Sequence, residues 1–435
     1  MLDHAQLNTV STARPPALST RHIVCLVVSA AAPLSAMAGT VPLAFAFGNG
    51  AGVPAAFVLT GLVLLCFSAS YAVVARRTGG RGGFYSAAVE GLGRPAGVVS
   101  GYVAVCAYNL ATIGLLGAFG YFTSLVLADH GLQVSWWACA AVGLALVGLL
   151  GYRDIGAGAR TVAVMMTGEL AILLALDIAV VVRDGVPAAL PAASFAPHEV
   201  FGAGFGVSVM FAAISFIGFE SAALYGGEAR DPRRSVVRAT YVAVVLVAAF
   251  YAFTSWVAVG AVGAGRVRQE AGRQLGNLFF TLADSYLGSF AATVMQFMLC
   301  TSLFAATLAL HSAANRYTQT LAADRLLPSA LAATHPRHAS PHRAGLAQTV
   351  LSAVAVAGFA LAGRDPYTGM TTTMLGLGTL GIVALQAVAA LSVLGVARRS
   401  EGVSPWRIAA SVLGFAGLAA AFWLGADNFA LMTGS

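Results

Sequence analysis

Apolar runs of roughly twenty residues, the length that crosses about 30 Å of hydrocarbon, recur near 23–47, 55–75, 100–127, 135–151 and 161–182. Six more follow near 201–226, 239–262, 287–312, 345–362, 370–397 and 406–424. The pattern predicts eleven membrane-crossing helices joined by short polar links, the fourth being the shortest. Two runs are interrupted. The first carries Ser29-Ala-Ala-Ala-Pro33-Leu-Ser35-Ala-Met-Ala-Gly39 in its middle, and a proline there removes a helix hydrogen bond and clashes with the preceding turn. The sixth carries Ser215-Phe-Ile-Gly218-Phe-Glu220 at a similar depth and gives way to Glu228-Ala-Arg-Asp-Pro-Arg-Arg234.

The two interruptions open successive sets of five helices. Broken helices at corresponding positions of two halves point to a transporter site built on inverted repeats. The chemistry follows from the breaks. A half-helix N-terminus offers unpaired N–H groups and a positive dipole end for an anionic group, and carbonyls released beyond the break suit an ammonium or a cation. One small site of this kind accepts a zwitterion. Either interruption alone is also what an ordinary kink produces, since Gly and Pro are commoner in membrane helices than in soluble ones. Glu220 adds weight, because an intramembrane carboxylate usually faces a protein cavity and marks a functional site.

Composition agrees with this class. The chain has 435 residues, 58% hydrophobic and 9% charged, where a soluble domain carries about 25% charged residues. Every one of the 24 basic residues is an arginine, so Schiff-base and general-base lysine chemistry are excluded. The net charge of +7 lies in the links between apolar runs, as topology signals do, and does not point to nucleic acid. With the N-terminus inside, Arg14, Arg21, Arg76, Arg77, Arg81, Arg94, Arg153, Arg160 and eleven later arginines from Arg230 to Arg407 fall on the cytoplasmic side. Arg183, Arg266, Arg268, Arg273 and Arg364 fall outside. That asymmetry predicts a cytoplasmic N-terminus in a bacterial-type plasma membrane, and an odd number of spans puts the C-terminus outside. No cleavable signal peptide is expected, because the first apolar run continues too far.

Other chemistry is sparse. Cys25, Cys66, Cys106, Cys139 and Cys300 lie inside apolar runs without metal or redox spacing and read as small hydrophobes. His335, His338 and His342 share a proline-containing loop, yet no cysteine or carboxylate completes a zinc set nearby. Gly79 to Gly83 lacks the lysine of a phosphate loop. There is no Gly-x-Ser-x-Gly elbow and no His-Glu-x-x-His helix, so an enzyme lacks its parts and no cofactor is expected.

At these residues the chain resembles the amino acid-polyamine-organocation transporters. The resemblance is carried by Ser215-Phe-Ile-Gly-Phe-Glu220 through Arg230-Asp-Pro-Arg-Arg234. It is supported by His311-Ser-Ala-Ala-Asn-Arg316-Tyr317, by Ala323-Asp324-Arg-Leu-Leu-Pro328 with Pro341, and more weakly by Gly79-Gly-Arg-Gly-Gly83-Phe-Tyr85. It covers roughly residues 20 to 400. It implies an all-helical, LeuT-like five-plus-five inverted-repeat core and alternating access for amino acids or related amines, with protons as possible coupling ions. The divisions expected are a cytoplasmic tail over 1–20, a core over 21–400 (helices 1–5 about 21–183, helices 6–10 about 200–397), and an additional helix with a short tail over 401–435.

The resemblance also implies residue roles. Ala32, Ser35 and Ala36 correspond to the segment of the first helix that receives a substrate carboxylate, and Ser215, Phe216, Ile217 and Gly218 to the sixth-helix segment that meets the amine and side chain. Ile214 stands where some relatives carry a large aromatic gate, a role for which Phe211, Phe216 and Phe219 are the alternatives. Asn109 matches a third-helix polar residue that contacts substrate. Glu220 matches a carboxylate implicated in gating and proton response. Glu169 and Asp177 interrupt the fifth apolar run. Glu169 is a coupling candidate, with scaffold pairing as the other reading, and Asp177 lies near enough to the outer end to reach water. His311, where the eighth helix nears the site, would titrate near neutral pH or else serve as a packing residue. Arg160 is the nearest basic candidate for the cation site that a lysine fills in proton-coupled relatives, and an arginine would act there as a fixed charge. The usual Gly-Ser/Ala-Gly of the first helix is here Leu34-Ser35-Ala36, and the apolar pattern predicts no counterpart of the usual twelfth helix. From a different class, a non-transporting membrane receptor or assembly subunit would share the ligand site and show no flux. The expected partners are a small-molecule substrate and the lipid bilayer.

Overall fold

Prolines mark where the helices begin. In the computed structural model, which describes residues 19–78, 82–153, 159–220, 232–338, 340–399 and 403–433, Pro33, Pro42, Pro95, Pro187, Pro197 and Pro405 each occupy the first or second position of a helix. There the missing N–H costs nothing and the fixed φ is already helical. The first apolar run is divided into α1 (Thr20–Ala30), α2 (Pro33–Gly39) and α3 (Val41–Phe47), followed by α4 (Val53–Thr78), the short α5 (Gly83–Leu92), α6 (Arg94–Asp129), α7 (Trp136–Tyr152) and α8 (Ala159–Asp184). Two single turns, α9 (Val186–Ala189) and α10 (Pro197–Val200), lead into α11 (Phe205–Ser215). Then come α12 (Pro232–Val262), the polar α13 (Val267–Gln274), α14 (Leu278–Leu287), α15 (Ser289–Ala323), α16 (His342–Leu361), α17 (Thr372–Arg399), α18 (Pro405–Asp427) and α19 (Phe429–Thr433).

Eight of these helices are long and apolar enough to cross a membrane. They match eight of the eleven expected spans. The other three, the first, fourth and sixth, coincide with shorter apolar helices. α7 has only 17 residues, and the remaining two are short because they break. α6 begins before its apolar run and α15 continues beyond its own to Ala323. The segment just past α15 is held by neighbours: Tyr102 on α6 donates to the Leu326 carbonyl, and Tyr85 on α5 donates to Asp324 at 2.6 Å. No strand occurs among the described residues. Large apolar side chains such as Phe290 (83% exposed) and Trp423 (70% exposed) face outward, the arrangement of a protein whose outer solvent is lipid. The molecule is a multi-pass membrane protein.

α6 is the central post, packing on α5, α7, α15 and α17. It approaches α17 through glycines: a β-carbon at Gly114 would lie 2.6 Å from the Leu375 nitrogen, and one at Gly378 would lie 2.7 Å from the Ala111 nitrogen. Backbones this close are what small residues permit between membrane helices. The contact holds Leu115 and Ala118 of α6 opposite Leu375 of α17, where both helices line an internal cavity.

Candidate functional site

The first helix breaks because Ala32, immediately before Pro33, adopts a left-handed conformation with φ 46° and ψ 70°. A non-glycine residue there costs about 1–3 kcal/mol unless its surroundings hold it. They do. The Ala31 carbonyl accepts a hydrogen bond of 2.8 Å from the Tyr251 hydroxyl on α12. On the far side of the break, the Leu34 N–H donates to Glu169 Oε2 on α8 at 3.2 Å, and the Ser35 hydroxyl donates to Ser302 Oγ on α15 at 2.9 Å. A second kink at Thr40 separates α2 from α3, and there Tyr367 donates to the Gly39 carbonyl at 2.9 Å.

The sixth helix stops at Ser215. Phe216 and Ile217 form a turn, and Gly218 takes φ 109°, a conformation natural to glycine. The released Gly218 N–H donates to Glu220 Oε2 at 3.0 Å, while Tyr108 on α6 donates to Glu220 Oε1 at 2.8 Å. Glu220 is 7% exposed. Its carboxyl group therefore closes the break from which it hangs, and it meets the requirement that buried polar groups find partners. Residues 221–231, including Glu228, Arg230 and Asp231, lie outside the described residues, as do the side chains of Arg233 and Arg234.

The two breaks meet. Between them lies a cavity of about 50 Å³ bounded by α2, α6, α11, α15 and α17. Of the residues singled out in the sequence, Ala32, Ser35, Ala36, Ile214, Ser215 and Ile217 line it. Phe216 turns away to ring contacts with Phe57 and Tyr251, at 6.4 and 5.7 Å between centroids. Gly218 and Glu220 stand behind the wall. Asn109 is buried two turns along α6 from the wall, with its amide N–H bonded to the Val105 carbonyl at 2.7 Å and its Oδ1 without a protein partner. His311 follows the lining residue Leu310 but points the other way. It pairs with Asn315 at 3.1 Å and Thr349 at 3.4 Å and packs over Gly151. The Arg160 side chain lies outside the described residues. Asp177 is buried and accepts from Thr254 at 2.7 Å, so it does not reach water. His335 stacks on His338 and meets His342 edge-on beside Tyr152, and no group of three or more His, Cys, Asp or Glu is placed to hold a metal ion among the described residues.

The opposite wall was missed in the sequence. Leu115, Ala118, Leu303, Ala306, Leu310, Thr371 and Leu375 come from unbroken helices and one π-turn at Pro366–Thr371. Nothing local distinguishes them from other apolar residues. Aromatic layers lie along the same helices at both ends of the cavity. At one end Tyr121 stacks on Tyr367 at 4.8 Å, with Phe122 and Phe280 beside them. At the other Tyr108 stacks on Tyr317 at 5.3 Å, and the Tyr317 hydroxyl accepts the Phe84 N–H at 3.1 Å.

A larger cavity of about 190 Å³ lies on the outer flank of α11, walled by α4, α17 and α18 with almost wholly apolar residues. Thr60, Thr379 and Gln386 are its polar residues, and although Phe216 lines it, no residue of the first helix break does, whereas the smaller cavity is lined from both breaks. The helix breaks therefore locate the candidate site in the smaller cavity.

A sequence model described as amino acid permease matches residues 18–432. Curated proteins from Mycobacterium bovis and Mycobacterium tuberculosis, each named an uncharacterized transporter, are 27% identical to this chain over 351 residues, 80% of this chain and 73% of the relative.

Proposed function

The chain belongs to the amino acid permease family of membrane transporters, and from that premise we propose that it carries amino acids or related small amines across the plasma membrane by alternating access. The observation that carries this reading is the meeting of two broken helices at one cavity: Ala32 and Ile217 belong to different breaks and line the same space. A site at the repeat interface, built on discontinuous helices, is where secondary transporters bind substrate.

On this reading the substrate carboxylate lies against Ser35 and Ala36 just past the first break, and its ammonium against the turn at Ser215 and Ile217. Aromatic layers at Tyr121–Tyr367 and Tyr108–Tyr317 open in alternation, with the five-plus-five halves rocking about the breaks. Glu220 and Glu169 each bind an N–H released by a break, so a change in either carboxyl's protonation alters the break itself. That link supports proton coupling through one of them. His311, bonded toward α16, contributes to helix packing on the side away from substrate.

Uptake into proteoliposomes tests this. A panel of labelled amino acids and amines is supplied with and without an imposed pH gradient, and with unlabelled substrate preloaded. Saturable flux of one class supports the proposal, and its dependence on gradient or preloading separates symport from exchange. Ligand binding with no flux under every condition would sink it.

A further inference from the structure

Resting on the transport reading, we infer that the substrate is a small neutral α-amino acid of the size of glycine, alanine or serine, and that Leu115, Leu310 and Leu375 set the upper limit of its side chain.

The first ground is charge. Among the described residues, no arginine, histidine, aspartate or glutamate lines the cavity. The two carboxyl groups nearest the breaks are already engaged, Glu220 by Tyr108 and Gly218 and Glu169 by Leu34. Neither of them lines the cavity, so neither carboxylate meets a cation seated there. A substrate guanidinium or ammonium side chain would thus be buried without a counter-ion, and a substrate carboxylate side chain would find no arginine. Either is strongly unfavourable, because a buried charge must be paired. The side-chain end of the site therefore takes a neutral group.

The second ground is polarity. Among the described residues the polar side chains on the wall are four hydroxyls: Ser35, Thr40, Ser215 and Thr371. Two are turned to their own helix backbone, Ser215 to the Phe211 carbonyl at 2.9 Å and Thr371 to the Pro366 carbonyl at 2.8 Å. Ser35 is tied to Ser302. No amide stands on the wall among the described residues, and Asn109, the side-chain amide nearest in sequence to the α6 wall residues, sits six residues from Leu115, roughly 9 Å along the helix. The wall can meet a zwitterionic head and one hydroxyl, but not a long polar side chain.

The third ground is size. A cavity of about 50 Å³ has room for about three to five water-sized groups, taking about 10–15 Å³ for each. Leu115 on α6, Leu310 on α15 and Leu375 on α17 reach into it from three sides. α6 and α17 cannot retreat to enlarge it without losing the contact at Gly114 and Gly378, so the bulk is imposed by side chains and not by slack packing.

The test is competition in proteoliposomes containing the full chain, with labelled alanine as the reporter and each unlabelled amino acid in turn. Glycine, alanine and serine are expected to compete at least tenfold better than arginine, glutamate or tryptophan. Leu115→Ala is expected to admit leucine, improving its competition about tenfold relative to alanine, the scale on which a pocket discriminates by methylenes. Leu375→Ala serves as the second variant if Leu115→Ala does not fold. Arginine or glutamate carried in preference to alanine would overturn this inference and leave the transport reading standing. Leucine competing no better in either folded variant would remove the three leucines as the size limit. Absence of flux for every amino acid would overturn the transport reading itself.

Discussion

Gly218 rests against Ala30: a β-carbon on Gly218 would lie 2.5 Å from the Ala30 carbonyl oxygen. The break of the sixth helix is thus packed directly on the break of the first, and both conformational and steric reasons require glycine. Gly218→Ala is expected to lower stability by about 1–3 kcal/mol from the positive φ alone, with further loss from the clash with backbone. Thermal unfolding in detergent should show the drop, and substrate flux should fall more than the folded fraction does, because the cavity wall at Ile217 moves with the turn. An alanine variant as stable and active as the parent would mean that the two breaks do not need to touch.

Tyr108 and Gly218 share the two oxygens of Glu220. A double-mutant cycle of Tyr108→Phe and Glu220→Gln is expected to show a coupling of about 1–3 kcal/mol, the range of buried bonds in a shared network. The phenylalanine keeps the stack on Tyr317, so the cycle reads the hydroxyl and not the ring. Additive effects would show that the hydroxyl and the carboxyl act separately.

Tyr251 supports the other break. Tyr251→Phe keeps the ring contacts with Phe57 and Phe216, both at 5.7 Å, and removes only the donor to the Ala31 carbonyl. A carbonyl left unpaired in a buried break costs about 1–3 kcal/mol, so the unfolding temperature should fall while oligomeric state and expression of the folded form are preserved. An unchanged melting curve would show that the carbonyl finds another partner.

The breaks were legible in the sequence because each has a local cause. Pro33 cannot continue a helix, and Gly218 beside Glu220 is conspicuous in an apolar run. Six of the residues read from those segments line the cavity for the same reason. The opposite wall was not legible. Leu115, Leu303 and Leu375 lie on continuous helices whose apolar residues face lipid, neighbours and cavity alike, so periodicity does not separate the cavity face from the others. Asn109 and His311 show the converse. Polar residues in a membrane helix attract notice, yet here Asn109 bonds its own helix and His311 bonds α16 through Thr349. The partners that decide this come from 38 residues away in the case of Thr349, and from 112 residues away where Tyr108 meets Glu220. Only the fold brings them together.

Glu169 separates a structural role from a coupling role most cleanly. It reaches from α8 to the first turn of α2 and takes the Leu34 N–H, beside the Ser35–Ser302 bond that ties α2 to α15. Glutamine at this position keeps an oxygen for Leu34 and nearly the same shape, but cannot gain or lose a proton in the working range. Alanine loses both. If Glu169 carries the coupling proton, Glu169→Gln should retain exchange of preloaded substrate within about twofold of the parent while losing accumulation driven by a pH gradient. Glu169→Ala should lose both, together with about 1–3 kcal/mol of stability from the unpaired N–H. Parallel counterflow and gradient-driven uptake measurements decide the matter, since a purely structural carboxyl predicts that the glutamine variant behaves like the parent in both. Equal loss of the two activities in Glu169→Gln, with the protein still folded, would instead place the negative charge itself in the substrate cycle.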